Sequence, residues 1–237
     1  MTFPTVVGTT DFHSSSAATS TVITLPDGSN VSGRLLIIAF NLDGVTALGW
    51  PGSPTVFTDL NSGDDGAGRS RAEIRYRIVD GGEGWDGTGD TITVTHPSEQ
   101  RCWYVWLIDD WHGTTPPEAA AATGVNTHPD SPNLDPSGWG TEDTLWIALE
   151  FNDGADSTTT YPTNYSAGQH NGSSSASGGG VHHGVARREL NAASDNPVAW
   201  VDSNSSNSSR AVTIAIRPGE PPPPEPEQVV VMDTAGW

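Results

Sequence analysis

The sequence has no lysine. Its ten basic residues are all arginine, set against 29 acidic ones, and the formal charge over 237 residues is −19. A field of that sign argues against sequence-independent nucleic-acid binding, which needs a basic face to neutralise phosphates, and against docking on anionic membranes. The single cysteine, Cys102, excludes an intrachain disulfide framework and a multi-cysteine metal cluster. No apolar run approaches the roughly 20 residues a transmembrane helix needs. Residues 1–11 show no basic segment leading into an apolar one, so no secretory signal is expected. There is no His-Glu-x-x-His and no Gly-x-Ser-x-Gly, the patterns of a compact zinc site and a nucleophile elbow. The expectation is a protein that is not an enzyme and carries no cofactor.

Hydrophobic residues are also scarce, at 34 %, while glycine (27) and proline (18) are plentiful. Such a chain either stays unfolded or folds as short strands joined by turns. The patterning decides for strands. β-Branched and aromatic runs recur between Gly, Pro, Asn and Asp, at 4–8, 20–25, 34–42, 55–59, 70–79, 90–96, 101–109, 144–151, 181–188, 197–201 and 210–217. Within 71–78, Ala72, Ile74, Tyr76 and Ile78 alternate with Arg71, Glu73, Arg75 and Arg77, the period of a strand with two unlike faces. The run 102–108 is apolar on both faces and predicts a central strand covered twice, by a loop or by a neighbouring subunit. Only residues 117–123 read as helical. The expected fold is all-β, an antiparallel sandwich of jelly-roll type.

The chain also resembles itself. Leu36, Ile38 and Ala39 align with Leu145, Ile147 and Ala148; Asp43-Gly44 aligns with Asp153-Gly154; Trp50-Pro51 aligns with Tyr161-Pro162; Arg77 aligns with Arg188; and Arg101, Val105 and Leu107 align with Arg210, Ile214 and Ile216. Duplication and the chance likeness of two β-rich stretches both account for this. The first predicts two similar four-stranded halves, about 34–110 and 144–218, within one sandwich domain of residues 1–218. Residues 111–143 then cross between the halves. Residues 219–228 form a Pro-rich linker, a stiff spacer on the order of 30 Å long. The final segment, 229–237, places Val229, Val230, Val231 and Met232 ahead of a terminal Trp237. It reads either as an arm docking on a partner or as a free tail.

Candidate sites are sparse. Asp80, Glu83, Asp86 and Asp90 crowd one glycine-rich turn, and oxygen ligands on turns suit calcium, although turn composition alone also explains them. Asp64 with Asp65, and Asp153 with Asp156, cluster in the same way. His182 and His183 are neighbours, so on a strand they point to opposite faces and do not share a metal. Trp50, Trp85, Trp111 and Trp139 stand in presumed loops, where they either stack on sugar rings or cap the sandwich ends. Trp103 and Trp106 read as core or interface residues. Arg69, Arg71, Arg75 and Arg77 form a basic stripe able to pair with a neighbouring strand or with another subunit.

The order Gly33-Arg-Leu-Leu-Ile-Ile-Ala-Phe40, Gly49-Trp-Pro, Tyr76-Arg-Ile-Val-Asp-Gly-Gly-Glu83, Arg101-Cys-Trp-Tyr-Val, Glu142-Asp-Thr-Leu-Trp-Ile-Ala148 and Ala211-Val-Thr-Ile-Ala-Ile-Arg-Pro218 resembles the β-sandwich virion structural proteins of tailed bacteriophages and prophages. Many members begin the first of these strands with Gly-Asp, where this chain has Gly33-Arg34. The resemblance spans about 1–218 and brings no catalytic residues. It implies a virion protein assembled in the host cytoplasm, a head decoration or cement protein in the first place. The alternative it leaves is a tail or fibre module that binds a host-surface glycan. Its partners would be major capsid or tail proteins and further copies of itself, with copies covering strand 102–108.

Overall fold

The computed structural model describes residues 2–125, 128–154, 157–174, 179–204 and 207–220. The arm residues Val229, Val230, Val231, Met232 and Trp237, most of the linker, and Asp156 lie outside the described residues. Among the described residues there is no helix, and the strands build two five-stranded antiparallel sheets. The first contains β1 (Thr5–Thr24), β2 (Leu35–Asp43), β3 (Thr58–Asp64), β4 (Ser70–Ile78) and β5 (Thr91–Asp109). The second contains β6 (Glu118–Val125), β7 (Glu142–Asp153), β9 (Ala167–Ser173), β10 (Val181–Ala192) and β12 (Ser208–Ile216). A small ribbon pairs β8 (Thr158–Thr160) with β11 (Val201–Asp202).

The strand orders are β1-β5-β2-β4-β3 and β6-β12-β7-β10-β9. Leaving the ribbon aside, the second half repeats the topology of the first strand for strand. Each sheet has five strands where four were expected. The N-terminal segment joins the first sheet as β1, and 118–125 joins the second as β6. The alanine run of 119–122 favours a helix locally. It is strand here because Glu118–Val125 pairs residue by residue with β12, and the sheet edge outweighs propensity. The crossover 111–143 is thus partly sheet. The runs 4–8 and 20–25 fuse into β1, 90–96 and 101–109 fuse into β5, and the polar strand β9 had no apolar signal to announce it.

Three apolar layers result. Between the sheets, Leu35, Ile37, Tyr104, Trp106 and Ile108 meet Leu145, Ile147, Leu149, Val212 and Ile214. The outer face of the first sheet, with Leu36, Ile38, Trp103, Val105 and Leu107, is covered by Ile23, Leu25, Ile92 and Val94 at the far end of the β1–β5 pair, and by Leu48 and Phe57. The outer face of the second carries small residues, Ala148, Ala186 and Ala215. They leave room for Trp139, Tyr165 and Trp200 of the covering loops.

These layers correct two sequence readings. Strand 102–108 is covered twice by its own chain, so it calls for no neighbouring subunit. The internal alignment is also one residue out of register on two strands. Leu36 faces outward and Leu145 inward, and the inward Ile216 matches Ile108 rather than Leu107. A one-residue slip exchanges faces because the side-chain period is two. On β4 and β10 the match of Arg77 with Arg188 keeps its face.

Candidate functional site

The arginine stripe pairs within the chain. Glu73 is fully buried on the outer face of β4 and accepts from Leu48 N (3.0 Å), Trp50 Nε1 (2.8 Å), Arg71 Nε (2.7 Å) and an Arg75 terminal nitrogen (3.2 Å). Burial raises its pKa, but the hydrogen bonds from Arg71, Leu48 and Trp50 outweigh burial and hold it below the ordinary value. Arg77 donates to Glu83 at 2.7 Å and to Asp80 at 3.3 Å, and Arg69 reaches Asp153 of the other sheet at 3.6 Å. Trp103 and Trp106 are buried in the outer and inter-sheet layers, away from any external interface.

The glycine-rich turn does not converge on an ion. Glu83 accepts from the backbone of Asp80 and Gly81, Asp80 from Gly82, Asp86 from Thr88, and Asp90 from Asp86, Gly87 and the Ser29 hydroxyl. These carboxylates tie their own turns, the ordinary work of Asp and Glu beside glycine. Asp64 and Asp65 do the same with Gly66, Ala67 and Arg69. Of the loop tryptophans, Trp111 and Trp139 are buried, and Trp111 Nε1 donates to Gly33 O at 2.7 Å. Trp50 and Trp85 are half-buried against the outer layer of the first sheet. The four therefore close the molecule rather than line one rim.

A different group does converge. Glu150 on β7, His182 on β10 and Asp202 on β11 are all buried, and one ligand atom from each lies within 4.8 Å of the other two. Glu150 and His182 stand on the outer face of the second sheet, under the β8–β11 ribbon. The Thr158 hydroxyl donates to Glu150 and sits 3.4 Å from His182 Nε2; Asn152 Nδ2 donates to Asp202 at 3.0 Å. A Cβ on Gly184 would lie 2.6 Å from the Thr158 hydroxyl and overlap the Glu150 carboxylate, so the glycine makes the carboxylate's room. Burial, then His170, depress the pKa of His182, which keeps a neutral ring nitrogen as a donor. Two carboxylates and an imidazole are a donor set able to hold a divalent cation; as it stands, the group fastens the ribbon to the sheet. Sequence reasoning passed over it because its members come from three distant segments, joined only by strand pairing and the ribbon's closure.

Among the described residues, one surface cleft of about 430 Å3 is lined by His128, Asp130, Ser131 and Ser209 among others, and another of about 270 Å3 by Arg187, Arg188 and Glu189. Each offers a single carboxylate. Ser131 accepts from Trp200 Nε1 at 3.0 Å, and His128 Nδ1 accepts from Asp202 N at 3.2 Å, so neither is set up as a nucleophile with its base. Comparison with protein-family models, with curated proteins and with solved structures finds no match to this chain.

Proposed function

We propose that this is a non-enzymatic structural protein on the outer surface of a tailed-phage particle, a head decoration or cement protein held through residues 229–237. The observation that carries the reading is the closure of the sandwich. Each sheet is covered on one face by the other sheet and on its outer face by the chain's own loops and strand ends, and the carboxylates of its glycine-rich turns are engaged in tying those turns. A body finished in this way can stand in solvent without a partner. An excess of 19 negative charges keeps many copies soluble before assembly. Attachment then falls to the Pro-rich spacer and the apolar residues beyond it, and copies of the chain meet on the particle. The strand-and-turn resemblance to virion sandwich proteins supports the same reading. A glycan-binding role lacks this support, because Trp111 and Trp139 are buried and Trp50 and Trp85 pack on the core.

The test uses particles purified from the bacterial host that carries the gene. The full chain is expected among the particle proteins in fixed copy number. After mild urea stripping it should sediment with particles on re-addition, whereas a chain ended after Glu220 should not. Absence from the particles overturns the reading; equal rebinding by the shortened chain overturns the role of the arm.

A further inference from the structure

Where edge strand β1 meets edge strand β9, the inter-sheet space is lined by side chains with no role so far. His13 of β1 is the register partner of Cys102, and Gly172 and His170 of β9 are the partners of His183 and Val185 on β10; all face inward. His183 is 1 % exposed, and neither of its ring nitrogens has a hydrogen-bond partner. Leaving a buried imidazole unpaired is costly. His170 stacks on it at 5.5 Å, with its Nε2 3.3 Å from the Asp11 carboxylate. A Cβ on Gly172 would lie 3.4 Å from His13 Nδ1 and 3.4 Å from His183 Nε2. The missing side chain thus leaves a gap flanked by two imidazole nitrogens, and Asp11 and His13 open it to solvent.

The repeated topology supplies a comparison inside the same molecule. At the opposite edge, where β3 meets β6, the matching positions are Thr123 for His13, Arg210 for Cys102, Gly63 for Gly172, Ala72 for His183 and Asn61 for His170. There the Arg210 guanidinium fills the space beside Gly63, 2.5 Å from where a Cβ would be, and donates to Asn61 and to the carbonyls of Ser62 and Asp64. One edge therefore carries its own cation between the sheets. The other has three imidazoles and a carboxylate in the matching place.

We propose that His13, His170 and His183 bind a divalent transition-metal cation of the zinc class, with Asp11 orienting His170. The three rings stand further apart than the ligand atoms of Glu150, His182 and Asp202, so the ion would draw them together and clamp β1 of one sheet to β9 and β10 of the other. Imidazole nitrogens favour such ions over magnesium or calcium, which take oxygen. Burial, with the neighbouring histidines, lowers the pKa of His183; burial and His13 lower that of His170 against the pull of Asp11. Both are then unprotonated near neutral pH, the form that ligates. The inference is independent of the virion reading.

The test is calorimetric titration of the full chain with Zn2+ alone, with Mg2+ as counter-probe, and with Co2+ to read ligand number by absorption. Saturable binding of a single Zn2+ is expected, with none of Mg2+. His13→Ala and His170→Gln, on exposed edge strands, should each weaken it by roughly tenfold or more. Gly172→Ala removes no ligand but fills the gap, and should weaken it as well. Absence of saturable Zn2+ binding overturns the proposal. So does wild-type affinity in His13→Ala and His170→Gln, or loss of the ion in Glu150→Gln with retention in His13→Ala, which would move the site to Glu150, His182 and Asp202.

Discussion

At the scale of single residues, a buried charge persists here only where its donors are built around it. Glu73 receives two arginines, an indole and a backbone amide. Glu73→Ala removes the acceptor and strands Leu48 N, with a cost of about 3 kcal/mol, read as a lower urea midpoint. Because its pKa is depressed in the fold, the stability it supplies is complete above its ordinary value and is lost as pH falls below about 4.5. His182 and His183 act in a higher window. Burial holds both below the ordinary value of 6.5, so the unfolded chain takes up protons first. Stability should fall as pH drops below 6.5, by about 1.4 kcal/mol per pH unit for each histidine. Urea midpoints measured from pH 8 to pH 5 check this, and a flat profile contradicts it. None of these environments was legible beforehand. Glu73 reads in the sequence as one more outward charge on an alternating strand, because what covers it is a loop starting more than twenty positions earlier.

At the scale of elements, the covering loops matter as much as the strands. Trp200 is fully buried over the alanines of the second sheet. It is held by Ser131 through its indole and by Pro129 through its backbone. Trp200→Ala should cost about 3–5 kcal/mol and release the loops over that sheet, seen as faster amide exchange in residues 128–139 and 195–202. The strands β2, β4, β7 and β12 were legible because β4 and β12 alternate about one apolar face and β2 and β7 are continuous apolar runs. β6 and β9 were not. One reads as helix and the other as polar loop, and only an already formed sheet edge makes either a strand. The same limit applies to Glu150, His182 and Asp202, which share no local pattern.

For the whole molecule, the duplicated topology gives a body sealed at its end as well as on its faces. Pro218 bridges to Trp111, and Gly219 N donates to Asp110 O at 2.8 Å. A chain ended after Glu220 should therefore keep the thermal midpoint of the full chain while losing attachment to particles; a lowered midpoint would mean that the tail also stabilises the sandwich.

The sequence by itself determined the all-β class, through period-two alternation and abundant turn residues. It also determined that the molecule is strongly acidic, since composition alone sets that. It carried the outline of the repeat, because both halves spell strand, Asp-Gly turn and arginine-bearing strand in the same order. Only the tertiary structure decided which face of each strand is inside, since a one-residue slip leaves the local pattern intact and reverses every side chain. Only it showed that the doubly apolar strand is closed by its own chain. And only the pairing of edge strands brings His13, His170 and His183 to one corner, opposite the corner that the same topology fills with Arg210.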